Sequence, residues 1–274
     1  MASFDFKGCR LFYDVKGAGR DMVLLHGLGA DRRQLQALNS SIEGYRVITV
    51  DMPGHGESLC HNPEFFSFPV FAQATLALLD HLNIQSAVWG GISMGCGISL
   101  AAALQQKHRV DALFLIRPAW LDTPALPHLN LVAEVGEWIS EQGLERAQNH
   151  LDKASMYEQA MDINPAAAES IRGLLSRPQA VKAAGVLSAL VMDYPIESLS
   201  LLDTLYLPTC VIGNYGDPLH PHSIAKTIAS TLPLAHYQHL PSRYLNAAAH
   251  QRELVQSLLL FLDEVCECPV EAAV

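Results

Sequence analysis

Basic residues are the scarce kind in this 274-residue chain: 18 lysines and arginines stand against 28 aspartates and glutamates, for a formal charge of −10. They never cluster into a run, which excludes the electrostatic footprint of a nucleic-acid binder or of a partner for anionic membranes. Charged residues of both signs make up only 17% while half the chain is hydrophobic, which excludes disorder and provides for one large core with room for an insertion. No apolar run is long enough to span a bilayer, and residues 1–5 lack the charged-then-apolar pattern of a signal peptide. The six cysteines are scattered, and Cys96 and Cys210 sit in apolar segments where a thiol behaves as a small hydrophobe. A reducing, cytoplasmic setting is the expectation. Metal and cofactor signatures are missing too. Cys266 and Cys268 alone are too few for a structural zinc site, and His220-Pro221-His222 has no HExxH or Cys-x-x-Cys to support it. No Gly-x-Gly-x-x-Gly follows the first strands. No metal and no cofactor are expected.

The most informative stretch is Gly91-Ile92-Ser93-Met94-Gly95. It follows a short apolar run at 86–89, which reads as a buried strand, and precedes 98–104, an alanine- and leucine-rich segment that reads as a helix. A serine on a strand-to-helix turn sits in a strained backbone conformation, and glycines on either side let strand and helix pack closely. Its hydroxyl then projects at the positive end of the helix, where an oxyanion would be stabilised.

Three other stretches follow the same order of strand and turn. His26-Gly27-Leu28-Gly29 closes the run at 22–25, Asp51-Met52-Pro53-Gly54-His55-Gly56-Glu57-Ser58 closes 45–50, and Gly216-Asp217-Pro218 follows 209–212. With these motifs in this order, the chain resembles the α/β-hydrolase family over nearly its whole length. The resemblance implies an α/β fold: a doubly wound, mostly parallel sheet with a helical cap insertion. It also implies that the backbone amides of Leu28 and Met94 form an oxyanion hole, and that the loop holding His55 is structural.

The remaining elements fit that plan. Residues 10–15 read as an antiparallel strand, 32–38 as a short helix, 68–82 as an amphipathic helix, and 110–116 as a strand ending at Arg117. Arg117 stands on the carboxyl edge, where it could hold an anionic group or pair with a carboxylate. Between 123 and 203 strand-like runs vanish and helical periodicity takes over, punctuated by Pro165, Pro178 and Pro195. The expected division is a core of 1–122 and 204–274 with a helical cap of 123–203 that excludes water from the site.

A serine needs a base, and the base needs a carboxylate to fix its tautomer. In this fold the chain order is serine, acid, histidine. Asp217 is the expected acid, with Asp122 as the fallback. The base is where the pattern breaks: the loop after the last strand reads Leu240-Pro241-Ser242-Arg243-Tyr244-Leu245-Asn246, so Tyr244 falls near the family's histidine position. His250, at the start of the last helix, is the expected base, ahead of His239 in the last strand and His220 just after Asp217. His26, Gly27, Arg117, His220 and Tyr244 are expected to line the pocket. The reading that follows is a serine hydrolase cleaving a small ester, thioester or lactone, with a small-molecule acyl substrate as its partner. A C–C hydrolase or acyltransferase of the same fold remains open, as does a catalytically degenerate binding protein, the reading that Tyr244 keeps alive.

Overall fold

The computed structural model describes residues 2–267; Cys268 and the rest of the tail lie outside the described residues. Eight strands form one sheet in the order β1-β2-β4-β3-β5-β6-β7-β8. β1 (Ala2–Phe6), β2 (Cys9–Gly17) and β4 (Tyr45–Val50) pair antiparallel in succession. From β4 onward, through β3 (Arg20–Leu25), β5 (Ala87–Ile92), β6 (Val110–Ile116), β7 (Thr209–Gly213) and β8 (Ala235–His239), every pairing is parallel. The first strand escapes the sequence reading because it is a short hairpin arm, turned at Lys7-Gly8 with Gly8 at φ 86°.

The central strands are apolar throughout because both faces of the sheet are covered. All six residues of β5 are buried. Trp89 faces one side with Phe68, Phe71 and Leu113, while Val88 faces the other with Met22, Phe114 and Phe261. The first side is covered by α2 (Phe68–His81) and α3 (Met94–Gln105), with a small helix α1 (Gln36–Asn39) following β3. The Ser67 hydroxyl caps α2 by accepting from the Val70 N–H, and Pro69 suits its first turn.

A helical insertion leaves the sheet after β6 and returns before β7. It comprises α4 (Asn130–Leu151), which breaks at Gly143 with φ 80°, then α5 (Ser155–Ile163), α6 (Pro165–Arg172) and α7 (Gly185–Val191). α4 packs on α7, and the insertion is tied to the core by polar contacts that a sliding lid would not keep. The Phe68 N–H donates to Asp193 Oδ2 at 2.7 Å, the Trp120 indole donates to the Leu190 carbonyl at 3.0 Å, and Phe68 meets the Trp120 ring edge-on. The sheet ends with α8 (His222–Thr231) and α9 (Ala247–Glu267).

The turn between β5 and α3 is a tight junction. Ser93 has φ 56° and ψ −109°, a combination that an L-residue adopts at a cost but that glycine takes freely, being the mirror image of extended backbone. A Cβ on Gly91 would lie 2.5 Å from the Gly95 carbonyl carbon, and one on Gly95 would lie 2.3 Å from the Leu25 carbonyl oxygen. Two opposite effects on stability are expected. Ser93→Gly releases strain of about 1–3 kcal/mol against the extra entropy that glycine loses, so its denaturant midpoint should rise by the equivalent of ~1 kcal/mol. Gly95→Ala forces strand and helix apart and should cost about 1–3 kcal/mol. A fall in stability for Ser93→Gly would show that the turn stores no strain.

Candidate active site

Five loops at the carboxyl edge of the sheet meet around one cavity of about 270 Å³. Ser93 opens α3 at the N-cap position, yet its side chain makes no capping hydrogen bond. A serine at that position ordinarily spends its oxygen on a helix N–H; here the hydroxyl is left for the cavity, which Ser93 lines while only 8% exposed. The loop after β3 packs beside it: a Cβ on Gly27 would lie 3.5 Å from the Ser93 Cβ. The Gly27 N–H donates to Gln34 Oε1 at 2.8 Å, which fixes this loop. No turn or loop hydrogen bond uses the N–H of Leu28 or Met94. Met94, as the first residue of α3, has no intrahelical acceptor either.

Asp217 is reached from β7, as the sequence order requires. Its carboxylate has no exposed side-chain surface. Arg117, which follows β6 at φ 52° with its own N–H on the Ile212 carbonyl, donates from Nη1 to Asp217 Oδ2 at 2.9 Å. The other oxygen, Oδ1, accepts the Leu219 N–H at 3.1 Å and lies 2.9 Å from His220 Nδ1. That last contact is at ion-pair distance, but the ring N–H is not aligned along it. Burial alone would push the Asp217 carboxyl up; the charges and hydrogen bonds of His220 and Arg117 outweigh it and hold the group well below the usual carboxylate range. For His220 burial prevails: the imidazole is pushed below its ordinary value against the pull of Asp217, with Arg117 and Arg243 adding to the depression.

His220 lines the cavity together with Ser93, and His250 is not among the lining residues. His250 is buried on the first turn of α9, and its Nδ1–H donates to the Pro241 carbonyl at 2.8 Å. His239 is exposed at the end of β8, its ring tilted against Tyr215 and 3.3 Å from the Tyr237 hydroxyl. Asp122, the fallback acid, accepts the Leu199 N–H at 3.0 Å and so holds the exit of the insertion. His26 faces away from the cavity: its ring bonds the Gly27 carbonyl and the Met52 N–H, and it is fully buried against His55. Gly27, Arg117 and Tyr244 line the cavity as expected. Tyr244 is held there by a 3.2 Å hydrogen bond to Ser170 Oγ of α6.

Several lining residues escaped the sequence reading, Gln34 and Arg243 among them. Gln34 lies one turn beyond the glycine loop and has no motif of its own. Arg243 is adjacent to Tyr244, and a cation in that loop was a visible signal, overshadowed by the missing histidine. Among the described residues no group of three or more His, Cys, Asp or Glu side chains could hold a metal ion. No helix among them is long and apolar enough to cross a membrane.

Comparison with known proteins follows the same architecture. A dihydrolipoyllysine-residue acetyltransferase component of the acetoin cleaving system from Pseudomonas putida is 38% identical over 104 residues, which is 38% of this chain and 28% of that one. The chain spans less than half the length of the first curated relatives it matches. A pimeloyl-[acyl-carrier protein] methyl ester esterase from Vibrio campbellii is 29% identical over 228 residues, covering 81% of this chain and 86% of that one. Among solved structures, a thermophilic esterase from Thermogutta terrifontis with malate bound superposes with a TM-score of 0.74 at 24% identity, over 96% of this chain and 97% of that one. The family model described as the alpha/beta hydrolase fold matches residues 22–244. With the mixed sheet, the turn at Ser93 and the helical insertion in place, the chain belongs to the α/β-hydrolase fold family.

Proposed function

We propose that this protein is a serine hydrolase that cleaves a small ester, thioester or lactone through an acyl-enzyme on Ser93, with His220 as the base and Asp217 as its carboxylate. The observation that carries this reading is that a strained, uncapped serine shares one cavity with a histidine that faces a buried carboxylate through Nδ1. Nδ1 faces the acid, which leaves Nε2 for the serine hydroxyl. Apo sites commonly hold such contacts loosely, and a small ring rotation aligns the Nδ1–H with Asp217. The methyl ester esterase relative supports an ester as the bond cleaved. A protein that only held a ligand would have no use for the strain at Ser93, which costs stability wherever it is not needed.

The chemistry follows from these roles. Ser93 Oγ attacks the acyl carbon as its proton passes to His220 Nε2, and the amides of Leu28 and Met94 bind the oxyanion that forms. The intermediate collapses by breaking the bond to the leaving group, which takes the proton from His220. Water then repeats the sequence and frees the acid. The insertion serves as the cap: Leu129 and Val132 from its first turns, with Ser170 and Leu174, close the cavity over Ser93 and keep bulk water out.

His250 belongs to the scaffold in this reading, since its Nδ1–H is committed to the Pro241 carbonyl. On p-nitrophenyl butyrate, Ser93→Ala and His220→Ala should each lower kcat by about a thousandfold or more. His250→Ala should lower kcat by less than about tenfold while reducing thermal stability. The reverse ranking of the two histidines would return the role of base to His250.

The pH profile gives an independent check. The base must be neutral to accept a proton, and burial lowers the His220 pKa, so the active form persists to lower pH than for an exposed histidine. The groups facing His220 are Asp217, Arg117, Arg243 and His128, and of these only Asp217 opposes the depression. With a neutral ester, kcat/KM should stay flat from about pH 8 down to about pH 6.5 and fall along a one-proton limb below that. A limb centred above that value would show that the base is not this histidine.

A further inference from the structure

The cavity carries an excess of positive charge that the hydrolytic machinery does not use. Asp217 is neutralised by Arg117. That leaves Arg243, whose guanidinium has no carboxylate partner among the described residues and rests only over the Tyr244 ring, 5.0 Å from its centroid. Arg243 and Arg117 line the same cavity, and each lowers the proton affinity of the groups around it. Burial and the charge of Arg117 act against Arg243 itself and outweigh the pull of Tyr244 and Asp217, with which it forms no ion pair. Arg117 keeps an unpartnered Nε although its side chain is only 3% exposed. Two like charges facing one partly desolvated space repel each other, and a protein with a formal charge of −10 has abundant carboxylates that could have paired with the second. None is placed there.

We propose that Arg243 is a specificity-determining residue that recognises an anionic group on the substrate, so that the natural substrate is a carboxylate-bearing ester, thioester or lactone. This deepens the serine-hydrolase reading and rests on it for the reaction, though not for the binding. The anion supplies the charge that the cavity lacks, and Arg117 Nε offers a second donor at the same site. Tyr244 stacks under the guanidinium and is anchored to Ser170 of the cap, so the arginine is held in the cavity wall rather than free in solvent. The loop position that holds the histidine in the resembled family is thereby given to recognition.

The test uses two esters of matched acyl length, p-nitrophenyl butyrate and the mono-p-nitrophenyl ester of succinic acid. Wild type should favour the succinyl ester in kcat/KM by roughly ten- to a hundredfold, the range that one charge-assisted contact spans. Arg243→Gln should bring that ratio close to one, Arg243→Lys should restore part of it, and Arg243→Glu should invert it. Hydrolysis that depends on Ser93 but shows no preference, or a preference unchanged in Arg243→Gln, overturns the proposal while leaving the serine-hydrolase reading intact. If neither ester is cleaved, that reading fails and binding decides. Millimolar glutarate should raise the melting temperature of wild type and Ser93→Ala but not of Arg243→Gln, and its failure to stabilise wild type overturns the proposal.

Discussion

The close approach of β3, β5 and α3 is the constraint on which the rest of the site depends. Gly95 brings the first turn of α3 against the Leu25 carbonyl, and Gly91 brings the end of β5 against Gly95. With both contacts in place the backbone at 93 has nowhere to go but φ 56°, ψ −109°. The same packing brings the Gly27 loop beside Ser93, so near that a Cβ at Gly27 would touch the Ser93 Cβ, because that loop is the continuation of β3. Thus one steric arrangement fixes the serine, presents the helix N-terminus behind it and sets the neighbouring loop amides. Leu100, Ala101, Ala102 and Ala103, which follow in α3, are buried and hold the helix in that position.

Electrostatics then divides the cavity into two parts. On one side Asp217 is saturated: Arg117, the Leu219 N–H and His220 occupy its two oxygens, and burial removes water as a competitor. A carboxylate so held stays ionised, which is what a positively charged imidazole next to it would need. On the other side the Arg243 guanidinium feels the charge of Asp217 but forms no ion pair among the described residues. Burial lowers the His220 imidazole against the pull of Asp217, and the charges of Arg117 and Arg243 add to the depression.

The central strands of the sheet were legible in the sequence because they are short apolar runs bounded by turn residues, as burial on both faces requires. β4 and β6 match the expected ranges, and Ser93 stands on the strand-to-helix turn that its neighbouring glycines imply. What was not legible is three-dimensional. His250 has the right place in chain order, but order cannot reveal that Pro241, nine residues earlier, presents a carbonyl to its ring. His26 looked like a pocket residue because its neighbour Gly27 is one; alternation along the strand turns its ring into the core instead. Arg243 carries no motif, and only the fold shows that its partners are a tyrosine face and another arginine.

In the proposed pair of Asp217 and His220, the spacing of three residues has a mechanical consequence. In an arrangement with acid and base on separate loops, their spacing depends on the relative placement of two strand ends. Here a single turn sets it: the His220 N–H bonds the Asp217 carbonyl at 3.3 Å, and the Leu219 N–H bonds the Asp217 side chain at 3.1 Å. Backbone and side chain of one residue therefore position the next ring directly, and Pro221 immediately after it fixes the entry to α8. The loop after β8 carries Arg243 and Tyr244 into the cavity wall. The departure from the family pattern at Tyr244 and the unpaired guanidinium beside it thus belong to one loop, with the ring and the cation in contact.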